Sequence, residues 1–190
     1  MLLIRSQNQL MRGRNRFSAC GFTMVELVII IVLLGIVATV AMSRLLRGDA
    51  FNAFVLRDQI ISLSHTAQQA SLGRDNVIMT ITPDGAGSVT LTTAYNGGAT
   101  TIESVVLDMN SVSLTGDVND TSSCATPPGS AITTASPFTL RFTPLGDLGA
   151  SGFGAGTAVT SAVRICLNNS VTDSVCLSPA GFAYAGDCDV

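Results

Sequence analysis

The first residues of the chain pass from a polar segment into an apolar one. Residues 1–21 are polar and include four arginines, whereas residues 22–42 are apolar apart from two threonines and one carboxylate, Glu26. As a helix rising ~1.5 Å per residue, 22–42 would be roughly 31 Å long, which is enough to cross the hydrocarbon core of a bilayer. The pattern therefore predicts a transmembrane helix over 22–42.

The next segment, 43–74, has the periodicity of an amphipathic helix. Small and apolar residues recur at spacings of three and four, which places them on one helix face. They are Ala53, Leu56, Ile60, Leu63, Ala67 and Ala70. Gly73 marks the end of this helix. Gly35 in the preceding apolar segment and Gly48 in this one are points where the helices can bend, because glycine weakens a helix by about 1 kcal/mol relative to alanine. Together, 22–42 and 43–74 predict one long N-terminal helix.

Beyond residue 74 the pattern changes to short alternating strands. The turn signal Pro83-Asp84-Gly85 between two such runs predicts a hairpin. Segments 115–137 and 145–157 predict long loops, and the second is glycine-rich and predicted to be mobile. The predicted strands are 77–82, 88–93, 101–107, 112–114, 138–143, 159–167, 174–178 and 182–185. A helix followed by antiparallel strands indicates an α+β fold, with 43–74 packed on an antiparallel sheet domain at 75–190.

Charge is unevenly distributed along the chain. Four of the ten arginines precede residue 22 and there is no lysine, so residues 22–190 carry six arginines against thirteen acids, a net charge of −7. After Asn76 only Arg141 and Arg164 remain, so nucleic acid would meet a repulsive surface and is not an expected partner. The basic start fits the cytoplasmic side of a membrane under the positive-inside rule.

Four of the five cysteines lie in the last third of the chain: Cys124, Cys166, Cys176 and Cys188. An even number in an exported domain predicts two disulfides and an oxidising compartment, although four cysteines allow three connectivities. Their spacings are too wide for a zinc knuckle. If the last hairpin folds around Val171, Cys166 lies opposite Cys176 at a distance that a disulfide can span, which leaves Cys124 to pair with Cys188.

The junction Gly21-Phe22-Thr23-Met24-Val25-Glu26-Leu27 and the apolar run after it resemble the processing site and first helix of type IV prepilins and type II secretion pseudopilins. The resemblance implies the type IV pilin fold. It also implies that a prepilin peptidase removes the leader 1–21 by cutting between Gly21 and Phe22, and that the new amino terminus of Phe22 is methylated. Glu26 would then form a salt bridge to the Phe22 amine of a neighbouring subunit, because an unpaired acid in an apolar bundle is costly. An uncleaved signal anchor is the plainer alternative.

Two further resemblances concern the type of subunit. Phe138–Gly146, the late cysteine hairpin and Pro179–Gly181 resemble the C-terminal region of minor pilins and of the pseudopilin H class. The region near the leader resembles the minor pilins of mannose-sensitive haemagglutinin-type pili. They imply a minor pilin of a type IV pilus that acts in assembly and not as an enzyme, with a pseudopilin of a type II secretion system or a major pilin as alternatives.

The same resemblance implies partners and a location. The partners are other pilins or pseudopilins, the prepilin peptidase, the assembly platform and the inner membrane, with no cofactor and no small-molecule substrate. Before assembly the chain would be a single-pass protein of the bacterial inner membrane, with a cytoplasmic N-terminus and a periplasmic head. After assembly it would be extracellular, in the pilus.

The remaining motifs do not favour catalysis or metal binding. A membrane-tethered periplasmic enzyme is a weaker alternative, since no nucleophile–base arrangement is visible, and a DNA-uptake pilin is weaker because the head is poor in cations. His65, the only histidine, is predicted on the helix surface. Asp117–Asp120 has the oxygen atoms of a calcium ligand set but lacks the glycine and glutamate of an EF-hand, so a solvated loop is favoured. Gly152–Gly156 is predicted as a loop and not as a phosphate cradle.

Overall fold

The computed structural model describes residues 23–45, 48–109, 111–119, 123–124, 129–169 and 172–188. The chain divides into two compact units at Leu45–Leu46. Helix α1 (Met24–Leu45) lies in the first unit, and helix α2 (Gly48–Ser71) begins the second. Gly35 lies inside α1 without interrupting it. Residues 46–47, which separate α1 from α2 within the second half of the predicted long helix, lie outside the described residues.

The strands of the second unit form two antiparallel sheets where the sequence predicts one. They are β1 (Val77–Pro83), β2 (Ser88–Tyr95), β3 (Thr100–Asp108), β4 (Ser113–Val118), β5 (Ser130–Ala131), β6 (Phe138–Phe142), β7 (Leu148–Phe153), β8 (Thr157–Ala158), β9 (Val163–Asn168), β10 (Thr172–Leu177) and β11 (Ala183–Ala185). The first sheet has the order β3-β2-β1-β6-β7-β8 and the second the order β11-β10-β9-β4-β5. A helical start followed by antiparallel sheets confirms the predicted α+β class.

Helix α2 packs on both sheets through the predicted stripe. Its contacts reach β1, β2 and β6 of the first sheet and β9, β10 and β11 of the second. The buried members of the stripe are Ala53, Leu56, Ile60, Leu63 and Ala67, and Ala70 is partly buried. They belong to one apolar cluster with the inner faces of both sheets, where each fully buried large side chain contributes about 1.5–3 kcal/mol. After Ser71, Gly73 has a φ of +72° and donates its N–H to the carbonyl of Pro144 at 2.9 Å.

The prediction of long loops at 115–137 and 145–157 is wrong. The first segment contains most of β4 and all of β5, and the second contains β7 and the first residue of β8. Glycine masks the strand pattern because it is depleted in ordinary strands, yet here it permits close approach. A Cβ on Gly149 would lie 2.9 Å from the methyl group of Thr143, and a Cβ on Gly116 would lie 2.5 Å from the ring of Phe138. These glycines therefore serve packing.

The disulfide pairing predicted from the last hairpin is also wrong. In the β9–β10 hairpin Cys166 lies opposite Ser174 and Cys176 lies opposite Arg164, two residues out of the predicted register. A shift of two residues preserves the alternation of faces but moves the two cysteines out of direct opposition. The disulfides are instead Cys124–Cys166 and Cys176–Cys188, with Cα–Cα distances of 5.7 and 5.2 Å. Each hairpin cysteine therefore fastens a segment from outside the hairpin.

We expect peptide mapping under non-reducing conditions to recover this pairing. Cleavage at arginine and before aspartate separates the cysteines, since Asp173 lies between Cys166 and Cys176, and Asp187 lies between Cys176 and Cys188. The fragment with Cys124 should be linked to that with Cys166, and the fragment with Cys176 to that with Cys188. A reduced and alkylated sample is the control. A link between Cys166 and Cys176 would contradict the structure.

Candidate functional site

The candidate functional site is the start of α1. Gly21 and Phe22, the predicted cleavage and methylation positions, lie outside the described residues, which begin at Thr23. The hydroxyl oxygen of Thr23 accepts a hydrogen bond from the N–H of Glu26 at 3.2 Å, and its carbonyl accepts one from the N–H of Leu27 at 3.2 Å. Thr23 is therefore the N-cap of α1, which satisfies an N–H that the helix itself leaves unpaired.

Glu26 lies in the first turn of α1 and is exposed. A carboxylate at this position faces the positive end of the helix dipole, which is favourable by about 0.3–1 kcal/mol. The ion pairs between described residues do not include Glu26. Its predicted contact with the Phe22 amine of another subunit stays a prediction, since the structure contains one subunit and its description excludes Phe22.

The side chains of α1 present apolar surface on every side. The large apolar side chains from Met24 to Val37 are between 41% and 83% exposed. A helix that is apolar all round is stable in contact with lipid or with other helices, because water solvates such a surface poorly. Soluble monomers rarely expose a contiguous apolar surface of this kind. The helix therefore requires an apolar environment.

The length and the hydropathy of the helices bear on whether they could cross a membrane. Within the described residues, no helix combines the length and the hydropathy needed to cross a bilayer. The transmembrane span over 22–42 stays a prediction.

Two polar residues of α2 hold the β domain to the helix. Arg57 forms an ion pair with Asp173 of β10 at 2.9 Å and one with Asp58 at 2.8 Å. Partial burial lowers the pKa of Arg57, but the hydrogen bonds and negative charges of Asp58 and Asp173 outweigh it and raise that pKa above its ordinary value. Gln68 donates to the carbonyls of Gly146 and Ala180 at 3.2 and 2.9 Å. Neither contact has a local sequence signal, because the partners are far away along the chain.

In the segment 117–120, for which a solvated loop is favoured over a calcium site, the described residues have a structural role. Asn119 accepts hydrogen bonds from the N–H groups of 160–161 at 2.6 and 3.1 Å, and donates to the carbonyl of Ala158 at 2.8 Å. Asp117 forms an ion pair at 3.8 Å with Arg164, which is buried. Asn119 therefore fastens the segment before β9, and Asp117 contacts β9 itself.

The other candidate residues that the structure describes lie apart from one another. Among the described residues, no group of three His, Cys, Asp or Glu side chains is placed to hold a metal ion. Asp120 lies outside this description. His65 is partly exposed on α2, and residues 152–156 span the end of β7 and the turn into β8, so they are not a strand-to-helix phosphate loop.

The comparison with protein families matches the same region that the geometry singles out. Residues 16–42 match the family described as the prokaryotic N-terminal methylation motif, a type IV pilin-like signal. The chain carries this motif. The matched range contains Gly21, Phe22 and Glu26, and the motif implies a membrane-anchored precursor that associates with other pilins and is processed by a prepilin peptidase. The α+β architecture is consistent with the type IV pilin fold. Neither the curated proteins nor the solved structures gave a match.

Replacing Thr23 with alanine should weaken the start of α1 by about 0.5–2 kcal/mol, because the N–H of Glu26 loses its acceptor. Thr23→Ser keeps a hydroxyl oxygen and is the matched control. Amide hydrogen exchange of residues 24–27 in detergent micelles measures the effect. We expect faster exchange in the alanine variant and nearly unchanged exchange in the serine variant; the same exchange rate in both would show that the cap is unimportant.

Proposed function

We propose that this chain is a structural subunit, a minor pilin, of a type IV pilus. The observation that carries the proposal is the methylation motif at 16–42, on a helix whose apolar side chains are exposed all round. An anchor alone needs apolar surface, but it needs neither a processing site nor a carboxylate at Glu26. A subunit that leaves the membrane and packs against other helices accounts for all three features.

The proposed sequence of events begins with the precursor in the inner membrane. The basic leader 1–21 stays on the cytoplasmic side and the segment 22–42 provides the anchor. The head, with its disulfides, is exported to the oxidising periplasm. A prepilin peptidase cuts between Gly21 and Phe22 and the amine of Phe22 is methylated, after which the subunit joins the filament and becomes extracellular.

Assembly then depends on the charge of Glu26. Cleavage creates a positive amine at Phe22, about one helical turn before Glu26 of the same chain. When α1 helices bundle, both charges leave water, and a buried charge without its partner costs about 3–5 kcal/mol. Pairing the amine of one subunit with Glu26 of its neighbour removes this cost at a defined axial offset. The pair therefore sets the register in which subunits add.

A pseudopilin of a type II secretion system is the second candidate, because the same motif would serve it equally. The resemblance of Phe138–Gly146 and Pro179–Gly181 to minor pilins and to the pseudopilin H class does not separate the two. A DNA-uptake pilin is disfavoured further by burial of Arg164, which leaves Arg141 as the more accessible of the two cations after residue 76. A tethered enzyme gains no support from the described side chains.

Gly21→Ser should block processing, because the peptidase would meet a side chain next to the cleaved bond. The matched control is Gly35→Ser, since no atom lies within 4 Å of the position that a Cβ would take at Gly35. Intact-mass measurement of the membrane-extracted protein decides the result. The wild type and the control should begin at methylated Phe22, and Gly21→Ser should retain residues 1–21. A wild-type protein that begins at Met1 would refute the proposed processing.

Glu26→Val should leave membrane insertion intact but remove the chain from filaments. Loss of a buried charge partner worth about 3–5 kcal/mol corresponds to a decrease in incorporation of more than about tenfold. Glu103→Val, the same change at an exposed acid of β3, is the matched control. The measurement is the fraction of the chain in sheared filaments relative to the membrane. Normal incorporation of Glu26→Val would remove the role assigned to this carboxylate.

A further inference from the structure

Two phenylalanines near the start of α2 are exposed on the side of the helix that faces away from the core. Phe51 and Phe54 are 69% and 42% exposed, and their spacing of three places them on one helix face. Ala53 and Leu56, which belong to the buried stripe, are each 1% exposed. We call Phe51 and Phe54 the aromatic pair. Together the two rings form a small apolar surface that water solvates poorly.

Polar contacts hold the aromatic pair in place on the β domain. The guanidinium of Arg57 lies 5.2 Å from the centroid of the Phe54 ring, a distance at which a cation and a ring attract each other. The same guanidinium forms the ion pair with Asp173 of β10 at 2.9 Å. This part of α2 is therefore fixed to the sheet while its two rings face outward. A partner can bind them without first ordering the chain.

An acid marks the end of this apolar surface. Asp58 follows Phe54 by four residues, so it lies on the same side of α2, and it is exposed. Its carboxylate forms an ion pair with Arg57 at 2.8 Å. Because an ionised carboxylate is costly to remove from water, an apolar partner can cover only the first turns of α2.

The proposed anchor brings the aromatic pair close to the surface of the bilayer. If 22–42 crosses the hydrocarbon core, Leu45 at the end of α1 lies three residues further, about 4.5 Å along a helix. The headgroup region extends ~5–8 Å beyond the core on each side, so Leu45 lies within it. Three peptide steps link Leu45 to Gly48, the first residue of α2, and limit their separation to about 11 Å. The start of α2 is therefore within reach of the lipid headgroups.

We propose that, before assembly, Phe51 and Phe54 insert into the headgroup region of the bilayer. The inference rests on the proposed anchoring by 22–42 and not on the proposed filament role. The aromatic pair is too small for a protein partner, because two side chains bury far less than the ~1,000 Å² that a stable pair of proteins needs. A lipid surface requires no complementary shape, and it binds a helix through whatever apolar area the helix offers.

The contact orients the β domain and is not needed for its folding. The core of the second unit is closed without the aromatic pair. Because the anchor keeps the pair next to the lipid at a high effective concentration, a contact of only two rings is enough to be populated. Extraction of the subunit from the membrane then has to break this contact as well as withdraw α1.

Tryptophan fluorescence of the full-length chain in vesicles tests the contact, because the sequence contains no tryptophan. Phe51→Trp and Phe54→Trp are each placed in vesicles of phosphatidylethanolamine and phosphatidylglycerol that include brominated lipid. The matched control is Phe182→Trp, at a phenylalanine between β10 and β11 that is 60% exposed. Leu33→Trp, in α1, reports on the anchor itself.

We expect bromine near the headgroup end of the acyl chain to quench positions 51 and 54 more strongly than bromine near the methyl end. Aqueous iodide should quench them several-fold less than Phe182→Trp. Iodide quenching equal to that of Phe182→Trp overturns the contact, while lipid quenching of Leu33→Trp leaves the anchor intact. Protection from iodide without quenching by lipid means that protein covers the pair, which also overturns the contact. Absence of lipid quenching at Leu33→Trp overturns the anchoring and this inference together.

A second variant makes the result independent of the size of the new side chain. Phe51→Asp in the Phe54→Trp chain should lower the quenching by lipid several-fold, because a carboxylate holds this turn of α2 in water. Phe182→Asp in the same chain is the matched control and should leave the quenching unchanged. Equal quenching in these two chains would contradict the insertion of Phe51.

Discussion

The apolar surface of α1 is the constraint on which the other features of this chain depend. Water is a poor solvent for a helix whose large side chains are exposed all round, so α1 has to be covered by lipid or by other helices. A single acid, Glu26, interrupts that surface in the first turn. In a low-dielectric environment this acid restricts how α1 can be covered, because burying its ionised form is costly without a partner of opposite charge.

The second unit buries its own apolar side chains and does not need to be covered by lipid or by other helices. The stripe of α2 closes one core with both sheets, and the polar contacts of Arg57 and Gln68 join the same helix to the last hairpin and to the β6–β7 turn. The disulfides act on different lengths of chain, with sequence separations of 42 for Cys124–Cys166 and 12 for Cys176–Cys188. The larger loop removes more freedom from the unfolded chain, so Cys124–Cys166 is expected to stabilise more. Two units with opposite requirements suit a subunit that changes its surroundings while its head stays folded.

The features that could be predicted are those determined by near neighbours in sequence. The spacing of Leu56, Ile60 and Leu63 is enough to locate the buried side of α2, and the turn at Pro83-Asp84-Gly85 locates the first hairpin. The processing motif is equally local. The predictions that were wrong concern contacts with residues far away along the chain. The glycines of β7 are explained only by its neighbouring strands. The register of the last hairpin depends on the pairing of β9 with a strand on each side. An error of two residues there keeps every face correct but exchanges the partners of Cys166 and Cys176.

The net charge of residues 22–190 is concentrated in the second unit. Residues 22–76 have no net charge, with four arginines and four acids, so the net charge of −7 carried by residues 22–190 lies entirely after Asn76. Repulsion between heads is screened beyond roughly 8–10 Å at physiological salt, so it opposes close contact between heads without preventing assembly. Attraction between α1 helices acts at contact and is not weakened by salt in the same way. A bundle of helices surrounded by well-separated heads would satisfy both conditions.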